Sequence, residues 1–260
     1  MDRGKGEFVR HASTIVLIFF LLAITAAELV FAFVSSYAGI LLHVAVLFAI
    51  VTFASFTTNQ PYDKIYLAVS LAPLLRIFNL SMPVGGISPI YWYGIVSIPI
   101  LLSTFMVARR LELRWADVGL TVKKLPLQLA IIPTGLIFAA TEYWILKPEP
   151  LIAELTLAHV LLPALILAVG TGFTEEVIFR GVMQRSAEES QISWGWFFIA
   201  TLFAVLHIHH AAMADIVFVF LVGVFFYFAV KKTGSILGVS LSHALTNIML
   251  YLVLPFTALA

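Results

Sequence analysis

Two adjacent glutamates interrupt an apolar run between Gly170 and Gly181, and an arginine follows one helical turn later: Glu175, Glu176 and Arg180. A lone carboxylate in hydrocarbon is costly, so charges placed there need partners and usually have a task. On a helix, Glu176 and Arg180 share a face at i,i+4 spacing and can pair. Glu175 is rotated by about 100° and is left to face something else. The expected division is that Glu176 and Arg180 hold the helix while Glu175 is the working carboxylate. Downstream, Phe203-x-x-x-His207 sets an imidazole one turn from an aromatic ring. His243-x-x-x-Asn247 places an imidazole and an amide on one helix face. A carboxylate can take a proton from a water that an imidazole orients. A second imidazole and an amide can together stabilise a developing oxyanion. These are the parts needed to hydrolyse a peptide bond without a covalent intermediate.

Other hydrolytic schemes lack their residues. The chain has no cysteine, no Gly-x-Ser-x-Gly elbow and no His-Glu-x-x-His pair. A zinc version stays open, with Glu175, His207 and His243 as ligands and a fourth position for water. Otherwise no cofactor is expected. His209 and His210, beside His207, are read as interfacial residues at the outer end of their helix.

The elements that must position these groups are membrane spans. The 260 residues are 62% hydrophobic and only 11% charged, with a mean hydropathy of +1.05. Such a composition belongs to an all-α, polytopic transmembrane bundle, here of eight or nine spans around a buried polar cavity. The apolar segments are Thr14 to Val34, Tyr37 to Phe56, Lys64 to Leu80, Ile90 to Ala108 and Leu125 to Leu146. Four more run from Pro163 to about Glu188, Ser193 to about His207, Met213 to Val230 and Ser235 to Leu254. The third and seventh are short, and Pro73, Pro99, Pro133 and Pro255 are candidate kinks or stops. At about 1.5 Å per residue, Glu175 lies roughly 20 Å from Glu188, and His243 roughly 12 Å from Ser235. The first apolar run is read as a retained span and not a cleaved signal. With a net charge of +1, nucleic acid is not an expected partner; the lipid bilayer is.

Orientation follows from the basic residues. With the N-terminus inside, Arg3, Lys5, Arg10, Lys64, Arg109, Arg110, Arg114, Lys123, Lys124, Arg185, Lys231 and Lys232 fall on the inner side. Only Lys147 falls in an outer loop, so the N-terminus is expected in the cytoplasm. The stretch from Arg109 to Lys124 mixes basic and apolar residues and is read as a short interfacial helix. Its end divides the chain into N-terminal helices with a basic cytoplasmic loop, 1–124, and a catalytic core, 125–260. Glu28 and Arg76 are expected to pair or to face a cavity. Glu142, Tyr143 and Trp144 read as interfacial, and no role is assigned to His43 or His159.

The three motifs, Glu175-Glu176-x-x-x-Arg180, Phe203-x-x-x-His207 and His243-x-x-x-Asn247, resemble those of the CAAX protease and bacteriocin-processing family. That family includes the type II CAAX prenyl endopeptidases, and the resemblance covers about Gly170 to Leu250. It implies a metal-independent intramembrane glutamate protease with a cavity open to the cytosolic side. By resemblance, Glu175 and His207 activate the water, His243 and Asn247 form the oxyanion hole, and Glu176 and Arg180 support the site. The implied substrate is a peptide or the prenylated C-terminal Cys-a-a-X sequence of a protein. The alternative class is a non-proteolytic membrane protein using the same buried charges. It would be an immunity or chaperone-like partner, or an ion-coupled carrier.

Overall fold

The computed structural model describes residues 3–58, 62–81 and 86–257, with side chains from residue 13 onward and excluding that of residue 81. Residues 82–85 of the expected outer loop, and the side chains of Arg3, Lys5 and Arg10, lie outside the described set. Among the described residues the regular structure is helical throughout. We number the helices α1 (Arg3–Phe33), α2 (Ser36–Phe56), α3 (Asp63–Val69 and Leu71–Ser81), α4 (Pro89–Arg110) and α5 (Leu125–Leu146). They continue with α6 (Leu157–Glu189), α7 (Gly195–Val205), α8 (Met213–Thr233) and α9 (Leu237–Thr257). All except α3 and α7 are long and apolar enough to cross a membrane, giving seven such helices among the described residues. Adding the two short ones recovers the nine apolar segments read from the sequence.

The surface confirms the solvent for which the chain is built. Phe19, Leu22, Phe48 and Leu221 are all more than half exposed, as side chains facing lipid should be. About half of the α9 span is buried, against a third or less for every other span. The helix bearing His243 and Asn247 is thus the central one. It is reached by close backbone approach: a Cβ on Gly172 of α6 would sit 2.7 Å from the Ala244 amide of α9, and one on Gly135 of α5 would strike the Ser242 carbonyl.

Local chemistry explains the helix ends. The Ser35 side chain accepts from the Ala38 amide and starts α2. Gly234, with φ 71°, ends α8 in a left-handed turn. α5 breaks at Ile132 and Pro133, where a missing N–H interrupts the ladder. α6 begins six residues earlier than the sequence suggested, with Pro163 in its second turn. Its 33 residues make about 50 Å of helix, longer than the hydrocarbon core is thick.

The expected interfacial helix at 109–124 is absent. After α4 the chain makes successive turns, with φ positive at Glu112, Gly119 and Lys124. Leu111, Leu113 and Val118 are buried, so the apolar residues that suggested a membrane-facing stripe point into the protein. Hydrogen bonds from Arg114, side chain first and then backbone, pull the Asp117 carboxyl down to about 2. The loop is tied to the start of α9 by Ile236 N–H to Gly119 O at 2.9 Å and Ser235 Oγ–H to Thr121 O at 2.6 Å. One apolar core joins Leu17, Ile50 and Leu71 with Phe179, Phe203 and Tyr227, on both sides of residue 124.

Candidate active site

The central stretch of α6 departs from α-helical geometry. Wider π-turns at Ala168–Phe173 and Val177–Met183 flank Thr174–Glu176, a distortion that often accompanies functional sites. Glu176 and Arg180 pair as expected, with Nη1 to Oε1 at 3.1 Å and both side chains fully buried. Three rings enclose the guanidinium: Phe203 at 4.5 Å from Cζ to ring centroid, Phe226 at 5.4 Å and Phe179 at 5.9 Å. Cation–π attraction strengthens where water is excluded, so this enclosure helps hold the buried charge. Nη2 also donates to the Gly223 carbonyl at 3.4 Å.

His243 joins the two glutamates. Its Nδ1 donates to Glu176 Oε1 at 2.9 Å, and its Nε2 lies 4.0 Å from Glu175 Oε2. The Glu175 side chain is 19% exposed and that of Glu176 is 0% exposed. The rotation between neighbouring helical positions therefore separates them, one towards a cavity and the other into the core.

His207 sits just past the end of α7, where its Nδ1 donates to the Phe203 carbonyl at 3.1 Å. That bond leaves Nε2 as the free nitrogen. Asn247 Nδ2 donates to Thr171 Oγ1 at 2.8 Å; the amide's other N–H remains. Glu175, His207, His243 and Asn247 all line one cavity of about 350 Å³. Glu176 and Arg180 lie behind its wall, as supporting residues should.

Further polar residues reach this cavity that the sequence reading placed elsewhere. Glu142 was expected at the interface, yet it lines the cavity and is 8% exposed. It continues the Gly135, Phe138 and Ala139 stripe of α5, the face that packs inward. His209 and His210 also line it, because a tight turn at Ile208–His210 folds back after α7. His210 Nδ1 lies 3.1 Å from Asp215 Oδ2, and Asp215 is fully buried. Arg76 forms another wall; it donates to Glu28 through Nη2 at 2.9 Å and through Nε. This is the pair anticipated from the sequence. His43, to which no role was assigned, brings Nε2 within 3.1 Å of Glu28.

Thr171 could have been found from the sequence, since it precedes Glu175 by four residues on the same face. Asp215 carried no local signal. The proposed zinc set does not assemble: among the described residues no three His, Cys, Asp or Glu side chains converge closely enough to hold a metal ion.

With this geometry in place, comparison with known families gives one match. Residues 156–249 match the family described as type II CAAX prenyl endopeptidase Rce1-like. The resemblance read from the three motifs is thereby borne out over that segment. The Rce1-like segment begins one residue before α6 and ends in α9, so it contains all seven residues named in the three motifs. Arg76 and Glu142 are walls supplied from outside it. No curated protein and no solved structure matches the chain.

Proposed function

We propose that this protein is an intramembrane endopeptidase in which Glu175 and His207 activate a water for direct attack on a peptide carbonyl. The single observation that carries the reading is the meeting of Glu175, His207, His243 and Asn247 in one cavity, all within the Rce1-like segment. Glu175 takes a proton from a water that the free Nε2 of His207 orients. The resulting hydroxide adds to the scissile carbonyl, and the oxyanion is held by His243 Nε2–H and the remaining Asn247 N–H. Glu175 then delivers the proton to the leaving amine as the C–N bond breaks. For His243 to donate to Glu176 and to the oxyanion it must carry both ring protons. The charges of Glu175, Glu176, Arg180 and His243 then sum to zero, an economical arrangement in a poorly solvated site. The N-terminus is assigned to the cytoplasm by the distribution of basic residues.

The substrate suggested by the matched family is a prenylated C-terminal Cys-a-a-X sequence. Purified protein incubated with a farnesylated Cys-a-a-X peptide should release a tripeptide detectable by mass, and an unprenylated peptide serves as the control. Release from both equally would keep the peptidase and remove the prenyl requirement; release from neither would count against the reading. Because the donors do not converge as a ligand set, a chelator should leave turnover unchanged. Loss of turnover that added zinc restores would contradict the metal-independent mechanism.

A further inference from the structure

One charge in the cavity wall has no part in the proposed chemistry. Arg76 of α3 lines the cavity with Glu175, His207, His243 and Asn247, and among the described lining residues it alone is a lysine or arginine. It is 4% exposed, and a cation so placed needs a fixed anion. Glu28 of α1 supplies it, accepting from Arg76 Nε and from Nη2 at 2.9 Å. His43 of α2 brings Nε2 within 3.1 Å of the same carboxylate, so Glu28 does not belong to Arg76 alone.

That pairing uses one edge of the guanidinium and leaves another. The group carries five N–H donors in a plane, and Glu28 takes the edge formed by Nε and Nη2. Nη1 makes no hydrogen bond among the described residues. The outer edge, Nη1 with the second N–H of Nη2, is therefore a planar two-donor fork of the kind that matches a carboxylate. Asn79 follows three residues later, on the same face of α3, and also lines the cavity.

Arg76 and Glu175 lie at similar depth. α3 packs against α6, and Lys64 near the start of α3 pairs with Glu189 at the end of α6 at 2.6 Å. From that tie Arg76 is about 18 Å along α3, and Glu175 about 21 Å back along α6. The charge of Arg76 acts on both Glu175 and His207.

We propose that Arg76 binds the free C-terminal carboxylate of the substrate and so sets how far from the chain end the peptide is cut. Three extended residues span about 10 Å, close to the spacing of neighbouring helix axes. A terminus held on α3 and a scissile bond at Glu175 of α6 thus suit release of a tripeptide. Glu28, His43 and Arg76 all lie outside the matched segment 156–249, so the N-terminal helices supply this contact. The cutting distance rests on the proposed hydrolase reading; the carboxylate site does not.

Binding to purified Glu175→Gln protein tests the site without turnover. A farnesylated Cys-a-a-X peptide with a free C-terminus should bind about tenfold or more tightly than the same peptide as its C-terminal amide, the scale of a charge-assisted hydrogen bond. Adding Glu28→Gln and Arg76→Gln together leaves no buried ion of this pair uncompensated and should bring the two affinities together. Arg76→Lys should also shrink the preference, because lysine has no planar fork to serve two carboxylates; it decides the matter if the double substitution prevents folding. Equal binding of acid and amide, binding of neither, or a preference undiminished in a folded Arg76 variant would each overturn the proposal. Failure of the wild type to cleave the free-acid peptide, with the preference intact, would remove the hydrolase reading and leave the carboxylate site standing.

Discussion

Glu175→Gln should lower peptide turnover by about 10²–10⁴-fold, the usual cost of losing a general base, while leaving fold and substrate binding in place. Glutamine keeps the shape of the side chain and its oxygen can still accept a hydrogen bond. It cannot take the proton from water. Folding should survive because Glu175 is not the residue that pairs with Arg180; that partner is Glu176. The cleaved product would be followed by mass, with binding measured on the same preparation. His207→Ala should be comparably damaging, since water would lose its second contact. Asn247→Ala should cost about 10²–10³-fold. Near-normal turnover by a folded, substrate-binding Glu175→Gln protein would move weight to a non-catalytic role for these charges.

The second large effect is on stability. Arg180→Ala should destabilise the protein by about 3–5 kcal/mol, the range for breaking a buried ion pair by removing one partner. Glu176 would keep His243 as its one hydrogen-bond partner among the described residues, and three phenylalanine rings would border the vacated space. Thermal unfolding in detergent should show a clear drop in midpoint against wild type. Because the same Glu176 oxygen holds His243, activity should also fall in the fraction that remains folded. An Arg180→Ala protein with an unchanged midpoint would show that the pair does not hold the helix.

Much of this architecture was legible in the chain because a bilayer constrains it strongly. Apolar runs of span length had to be helices, and carboxylates inside them had to find partners. Glu176 with Arg180 and Glu28 with Arg76 were readable for that reason. The pairs His210 with Asp215 and His43 with Glu28 were not, since each depends on how separate helices or a tight turn are packed. Glu142 was misplaced because its position near a span end resembles an interface, whereas its inward face is visible only beside Gly135 and Phe138. The 109–124 loop misled for a related reason. Interleaved basic and apolar residues describe an interfacial helix and a loop folded onto the protein equally well; the positive φ values at Glu112, Gly119 and Lys124 decide it.

The central claim is that Glu175 activates water and does not itself attack the peptide. A single turnover with excess purified enzyme, in water enriched in heavy oxygen, tests it most directly. Direct attack predicts heavy oxygen in the new product carboxylate at the first turnover, with the Glu175 carboxylate unlabelled. Unlabelled product with heavy oxygen in Glu175 would mean that the glutamate is a nucleophile, and would contradict water activation by Glu175.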